Sequence, residues 1–172
     1  MGKPTFEQME EFHEQTKSGR ITQENLQAFL RNPNRGRFAS EIHAAELIPK
    51  GWTVVEDVEP TSDLDISKRK PSSFLKDSDK NGYIDGPEMR KRAPEFKGNL
   101  GLSDGKIMLA DGGKLIPKEF RDFYIPLPGT LLRDPDGRLH VPYLNFDVGR
   151  WVLSFDWLDD VWAGRGRLAC SE

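Results

Sequence analysis

The stretch RLHVPYLNFDVGRWVLSFDWL, residues 138–158, decides the C-terminal part of the predicted fold. Its second half alternates large apolar side chains with smaller or polar ones: Trp151, Val152, Leu153, Ser154, Phe155, Asp156 and Trp157. Strict alternation is typical of a half-buried strand, because successive side chains point to opposite faces. We therefore expect a strand over residues 150–158 whose strongly aromatic face, including Trp151 and Trp157, is buried.

Turn signals around this strand predict an antiparallel β-meander over residues 129–168. The sequences DPDG at 134–137 and DVG at 147–149 are rich in the residues that favour tight turns. They would join strands at 130–133, 138–146 and 150–158, with a short final edge at 165–168. Upstream, β-branched and aromatic residues predict one further strand within residues 52–58.

The N-terminal and central parts of the chain carry helix signals. Residues 1–34 predict a hairpin of two helices, with a capping box at Thr5 and Gln8 and a stop at Asn32-Pro33. Further short helices are expected at 40–47, 87–96, 103–110 and 117–124. The predicted fold class is therefore α+β, with a helical N-terminal and central portion and a C-terminal antiparallel β-meander. Residues 1–34 would form the helical hairpin, and residues 35–172 the α+β domain.

The clearest chemical signal lies in the sequence DSDKNGYIDGPE, residues 77–88. Oxygen-bearing side chains recur at alternate positions and end in a glutamate: Asp77, Asp79, Asn81, Asp85 and Glu88. Calcium is a hard cation that takes six to eight oxygen ligands. Gly82 stands where such a loop must turn through a conformation that only glycine adopts cheaply. This spacing resembles the calcium-binding loop of the EF-hand family.

The resemblance implies that one calcium ion is held by Asp77, Asp79, Asn81, the carbonyl of Tyr83, Asp85 and Glu88. It also implies that Ile84 pairs with a partner loop and that Asp85 caps an exiting helix opened by Pro87. However, Pro71 and Pro94 leave little helix on either side, and the sequence contains no second loop. We therefore expect a structural site and not a sensor. The alternative is an ordinary acidic turn, since these residues favour turns for backbone reasons alone.

A second resemblance rests on short motifs spread over most of the chain. They are IT at 21–22, NLQ at 25–27, NPN at 32–34, PYL at 142–144, GRW at 149–151, WLD at 157–159 and RL at 167–168. These motifs are similar to those of a group of uncharacterised bacterial proteins to which no activity is assigned. The resemblance implies a bacterial protein and supplies no catalytic residue.

Composition indicates one ordinary globular domain. The chain has 172 residues, of which 36% are hydrophobic, and a net charge of −3, which gives no global attraction to nucleic acid or anionic membranes. No apolar run approaches the length of a membrane span, and residues 1–12 are too polar for a signal peptide. The single Cys170 cannot form an internal disulfide and fits a reducing compartment. We expect a soluble, cytoplasmic protein in which Cys170 is inert.

Two other function classes remain open. Gln23, Glu24, Gln27 and Arg31 on the second N-terminal helix, with basic clusters at 68–70 and 90–92, would suit a nucleic-acid-binding adaptor. Asp156, Asp159 and Asp160 near Trp157 and Trp162 would suit an enzyme acting on carbohydrate, which needs paired carboxylates and stacking aromatics.

No established catalytic motif occurs in the sequence, so no catalytic residue and no cofactor-binding residue is predicted. The expected function is a small interaction module with a single structural calcium-binding loop. A protein partner is possible, and its identity does not follow from the sequence.

Overall fold

The computed structural model describes Lys17 and residues 47–171. Within that part, the chain forms nine β-strands and two short α-helices. The strands are β1 (Thr53–Glu56), β2 (Lys70–Ser72), β3 (Tyr83–Asp85), β4 (Tyr124–Pro126), β5 (Leu131–Arg133), β6 (Leu139–Asp147), β7 (Arg150–Trp157), β8 (Val161–Ala163) and β9 (Leu168–Cys170). The helices are α1 (Gly86–Arg92) and α2 (Leu102–Leu109), with 3₁₀ turns at Ile66–Lys68, Ala110–Gly112 and Lys118–Phe120.

The largest sheet is built around β6. On one edge β6 pairs with β7, from His140 opposite Trp157 to Asp147 opposite Arg150. On its other edge it pairs with β5 and β4, and β1 lies outside β5, all antiparallel. The β6–β7 hairpin turns through Val148 and Gly149, both with positive φ (45° and 80°). Such a two-residue turn matches the natural twist of the strands it joins.

Two small two-stranded sheets, called ribbons below, join parts of the chain that are distant in sequence. Strand β2 pairs with β9, placing Pro71 opposite Ala169. Strand β3 pairs with β8, placing Ile84 opposite Trp162. Each ribbon therefore joins the segment before or within residues 77–88 to the C-terminal end of the chain.

The core consists of two clusters of buried side chains. One includes Met108, Phe120, Ile125, Leu144 and Trp151. The other is built on Phe74, Met89, Val141, Trp162 and Leu168 and lies under the two ribbons and α1. Full burial of each such side chain stabilises a fold by about 1.5–3 kcal/mol. Residues 77–88 pack against the second cluster.

The predicted fold class is wrong, because the described residues are mainly antiparallel sheet with only two short helices. Of the central helices, the one at 87–96 is present in shortened form as α1, and the one at 103–110 is present as α2, displaced by one residue. The helix predicted at 117–124 is instead the 3₁₀ turn Lys118–Phe120 followed by β4. Short apolar runs do not distinguish helix from strand, and ladder hydrogen bonds to β6 decide for the strand. The predicted hairpin at 1–34 and helix at 40–47 fall almost wholly outside the described residues.

The C-terminal strands agree better with expectation. Strands β5, β6 and β7 lie within a residue or two of the predicted positions, and Trp151 is buried. The predicted burial of Trp157 is wrong, since half of its surface (50%) is exposed at the end of β7. The guanidinium carbon of Arg138 lies 5.2 Å from the centre of the Trp157 ring, a cation–π distance. The edge predicted at 165–168 overlaps only at Leu168 with the observed strand β9, which pairs with β2 and not with the meander.

Candidate metal centre

The backbone of residues 76–82 forms a tight turn that Gly82 completes. The Asp79 N–H donates to the Lys76 carbonyl at 2.9 Å, and the Gly82 N–H donates to the Asp79 carbonyl at 2.9 Å. Gly82 has a φ of 73°, and a Cβ added there would meet no atom within 4 Å. The requirement for glycine is therefore conformational and not steric, as the EF-hand resemblance predicted for this position.

Strand β3 follows the turn and anchors it to the core. Ile84 is buried opposite Trp162, whereas Tyr83 and Asp85 face outward. The pairing partner is β8, near the C-terminus, and not a second calcium loop. The prediction that Ile84 lies in a strand is confirmed, whereas the implied pairing with a partner loop is wrong.

Helix α1 begins immediately after β3, and Asp85 caps it. The Asp85 Oδ1 accepts a hydrogen bond from the Glu88 N–H at 2.8 Å, and Pro87 occupies the first turn. Both features confirm the predicted start of the exiting helix. Gly86 is needed for a different reason, because a Cβ there would lie 2.2 Å from the Leu158 carbonyl oxygen. The loop thus has the order turn, strand and helix, and it is packed tightly against the end of β7.

Arg92, in the last turn of α1, is the central cation of the site. Its Nη1 donates to Asp79 Oδ2 at 2.5 Å, and its Nη2 to Asp79 Oδ1 at 3.1 Å. Its Nε donates to Glu88 Oε1 at 2.8 Å, and Nη1 also donates to the Phe74 carbonyl at 3.1 Å. The Arg92 side chain is only 9% exposed. One buried guanidinium therefore joins two of the predicted calcium ligands to each other and to the segment that enters the loop.

This arrangement shifts the pKa values of both carboxyl groups. The hydrogen bonds from Arg92, helped by the Lys76 N–H, lower the pKa of Asp79 to about 2. The Arg92 hydrogen bond also lowers the pKa of Glu88, and the two carboxylates together raise the pKa of Arg92. All three groups are thus held in their charged forms at neutral pH.

The structure brings only part of the predicted ligand set together. Asp79 and Glu88 converge on Arg92, while Asp77 and Asn81 are exposed on the turn and Asp85 is engaged at the helix N-terminus. Across Lys17 and residues 47–171, no three His, Cys, Asp or Glu side chains converge as a metal ion would require. Oxygen donors of these types are the ones that calcium takes as ligands. The two carboxylates that would close around it are bonded to a guanidinium.

Arg92 is the residue of this site that the sequence analysis did not single out. Its spacing from Glu88 is i to i+4, which was a usable signal for an ion pair on one helix face. Its contact with Asp79 depends on the fold of the intervening loop and had no local signal. In the sequence, Arg92 was counted in the basic cluster at 90–92.

The arginines of the two basic clusters are hydrogen-bonded within the fold. Arg69 donates to the carbonyls of Lys97 and Ala169, and Arg90 donates to the Pro128 carbonyl and to Glu56 at 2.7 Å. With Arg92 bonded to the loop, all three arginines of the two clusters have acceptors within the fold. Guanidinium groups engaged in this way are poorly placed to contact phosphate.

The acidic and aromatic residues that would suit a carbohydrate site lie in different surroundings. Trp162 is buried in the second core cluster, whereas Trp157 is half exposed beneath Arg138. Asp156 and Asp160 each accept a hydrogen bond from the N–H of the next residue. The two tryptophans therefore do not offer a shared stacking surface. Cys170 is buried, which raises the pKa of its thiol, consistent with the expectation that it is inert.

Comparison with known proteins gives no matching family model, no matching curated protein and no matching solved structure. Among the described residues, no helix is long and apolar enough to cross a membrane.

Proposed function

We propose that this chain is a small interaction module whose residues 77–88 bind one calcium ion that stabilises the fold. The observation that carries the proposal is the convergence of Asp79 and Glu88 on one cationic group, across a loop of turn, strand and helix. These residues stand at positions 3 and 12 of the EF-hand pattern, and position 12 supplies the ligand that closes the coordination sphere. Asp77, Asn81, the Tyr83 carbonyl and Asp85 would complete it.

A structural role is favoured over a sensing role. A sensor needs long flanking helices that reorient and expose an apolar groove. Here α1 has seven residues and the chain reaches Pro94 two residues later, while β3 is paired to β8. Calcium should therefore order and stabilise the loop without a large change in shape.

The outward face of the β3–β8 ribbon supports a role in protein interaction. Tyr83 is 46% exposed and Val161 is 57% exposed on this face. Exposed apolar side chains beside a bound ion would give a partner a surface whose order depends on calcium. The proposal includes a cytoplasmic location, which rests on the lone, buried Cys170.

The test is calcium titration of the full chain by isothermal calorimetry, combined with thermal melts in calcium and in chelator. We expect one site of modest affinity and a higher melting temperature in calcium, because a ligand that binds only the folded state stabilises it by mass action. Glu88→Gln should abolish both effects. Asp136→Asn, in an acidic turn without the EF-hand spacing, is the matched control and should change neither.

The absence of calcium heat at millimolar concentration, with identical melting curves in calcium and chelator, would overturn the proposal. Residues 77–88 would then be an ordinary acidic turn.

A further inference from the structure

Strand β7 has one edge that is open to pairing. Its other edge pairs with β6 over eight consecutive positions, and no further strand of the described residues pairs with β7. Natural proteins protect such edges with short strands, bulges, prolines or lysines. Strand β1, at the far side of the same sheet, has four residues and an irregular register between Val54 and Glu56. Strand β7 contains no proline, no lysine and no irregularity of register.

The backbone groups that β7 leaves open belong to alternate residues. The Leu158 N–H donates to the Leu139 carbonyl, so the backbone of Leu158 faces β6. Along an antiparallel strand, successive residues turn their N–H and C=O groups to opposite edges. The residues of β7 that direct these groups to the free edge and have no bonded N–H are Trp151, Leu153 and Phe155. Trp157 has the same orientation, but its N–H already donates to Asp156 Oδ1 at 2.9 Å.

The sequence of β7 is complementary to itself about Leu153. Two β7 strands that pair antiparallel, with a twofold axis at Leu153, place Arg150 of each copy opposite Asp156 of the other. The same pairing places Trp151 opposite Phe155. Opposite charges and facing aromatic rings are cross-strand pairs that stabilise antiparallel sheets.

We propose that the free edge of β7 pairs with the β7 edge of a second copy of this chain, antiparallel and centred on Leu153, so that two copies share one continuous sheet. The interface is isologous, because the same strand serves on both sides. It does not involve residues 77–88 and does not depend on calcium binding there. Because residues 150–156 of each copy make a small interface, the dimer is weak and reversible.

Hydrogen bonds and charges select the same register. With the axis at Leu153, hydrogen bonds are exchanged at the three open positions and no other N–H is needed. A shift of the axis by one residue toward the C-terminus would need the Trp157 N–H, which Asp156 already holds. A shift by one residue the other way would separate Arg150 from Asp156. Parallel pairing in register would set like charges opposite each other, which is destabilising.

The two charged residues are available for this pairing. Neither Arg150 nor Asp156 forms a salt bridge with another side chain of the described residues. Asp156 Oδ1 accepts the Trp157 N–H, which leaves Oδ2 for a guanidinium. A second copy would therefore give each residue a charged partner without breaking an existing ion pair. Exposed pairs of this kind contribute little energy and chiefly fix the register.

The test is sedimentation of the full chain in chelator, from micromolar to millimolar concentration. We expect the sedimenting mass to rise from that of one chain toward that of two. Arg150→Glu and Asp156→Arg should each weaken self-association by about ten- to a hundredfold, because each sets like charges opposite one another at two places. An equimolar mixture of these two variants should associate again, because every acidic side chain then faces a basic one. Arg165→Glu, the same charge change at an exposed position outside β7, is the matched control and should sediment as wild type does.

Amide hydrogen exchange followed by NMR tests the register residue by residue. Between low and high concentration, the N–H groups of Trp151, Leu153 and Phe155 should become protected. Those of Val152 and Ser154, which face β6, should be protected at both concentrations. This measurement uses the wild-type chain, so it decides the matter even if a charge variant fails to fold.

The inference is supported if the mixture associates, neither charge variant associates alone, and protection at the three open positions rises with concentration. A wild-type chain that stays monomeric at every concentration overturns it, including the case in which another part of the same chain already protects those positions. Dimers that survive both charge variants, or that the mixture does not restore, also overturn it. An equal loss in Arg165→Glu reduces the effect to net charge and overturns the pairing. Since every measurement is made in chelator, failure here leaves the proposed calcium site standing.

Discussion

Two acidic turns of this chain have nearly the same local chemistry and different surroundings. In the first, Asp79 accepts the Lys76 N–H at 2.7 Å and Gly82 closes the turn with a φ of 73°. In the second, Asp134 accepts the Arg138 N–H at 2.8 Å and Gly137 closes the turn with a φ of 86°. Both aspartate side chains are 12% exposed.

The difference lies in the partner that packs against each carboxylate. Asp79 meets Arg92, which also bonds Glu88, whereas Asp134 meets the Nε2 of His140 at 2.9 Å. A guanidinium is always charged and can bridge two carboxylates, while an imidazole also exists in a neutral form in which only one of its two nitrogens carries an N–H. The comparison teaches that the partner from outside the turn, and not the turn itself, decides whether two carboxylates are gathered.

The largest expected effect comes from removing the cation of the first turn. In chelator, Arg92→Met should lower the melting temperature by roughly 10 °C, because it leaves two carboxylates and the Phe74 carbonyl without their partner. Circular dichroism melts measure this directly. Arg90→Met should lower the melting temperature much less, because Glu56, the partner of Arg90, is 59% exposed. Equal losses in the two variants would contradict the special role of Arg92.

Lowering the pH should reduce the difference in stability between wild type and Arg92→Met. The pKa of Asp79 is lowered from 3.8 to about 2 in the folded protein by its bonds to Arg92. A carboxyl group whose folded pKa is depressed contributes stability above its unfolded pKa and loses it as the pH falls toward the folded value. The gap in stability between wild type and Arg92→Met should therefore be full above about pH 4 and shrink toward pH 2. Urea unfolding at several pH values measures it, and a constant gap would count against the ion pair.

The second turn should be less sensitive than the first. Asp134→Asn should lower the melting temperature by roughly 3–5 °C, because the amide oxygen can still accept the Arg138 N–H and only the contact between the carboxylate and His140 is lost. The same thermal melts apply. A loss as large as that of Arg92→Met would show that the two turns depend equally on their buried partners.

Replacement of Gly82 or Gly137 with alanine should have the smallest effect on stability, and nearly the same effect at both positions. At both Gly82 and Gly137 an added Cβ meets no atom within 4 Å, so alanine costs only the strain of positive φ, about 1 kcal/mol. Gly82→Ala and Gly137→Ala should each lower the melting temperature by roughly 3 °C. Only Gly82→Ala should also weaken calcium binding in calorimetry. Unequal melting losses in chelator would reveal a difference between the turns that their backbones do not show.

Sequence reasoning succeeded where the structure depends on neighbouring residues. The glycine turn, the cap at Asp85 and the strands on either side of residues 147–149 all follow from short-range patterns. It failed at residues 117–124, predicted as a helix, which form a 3₁₀ turn and the first residue of β4, because an apolar segment of a few residues satisfies either period until a sheet edge offers it hydrogen bonds. The predicted burial of Trp157 was also wrong. Trp157 lies on the same face of β7 as Trp151, as the alternation predicts, but it stands at the exposed end of the strand.

In the candidate metal site, too, some features follow from the local sequence and others only from the fold. The oxygen donors of residues 77–88 and their spacing are properties of the sequence, and they alone suggested calcium. The bond from Arg92 to Asp79 and the pairing of Ile84 with Trp162 join residues far apart in the chain.

The sequence by itself determined the local backbone of the loop, because Gly82, Asp85 and Pro87 act through their own dihedral angles and nearest hydrogen bonds. Only the tertiary structure decided which cation meets the carboxylates in the folded chain. That choice depends on where α1 lies on the second core cluster, through the burial of Met89 and the contact of Gly86 with the Leu158 carbonyl. Burial is a property of the whole packed fold, and it carries the Arg92 guanidinium to Asp79 and Glu88.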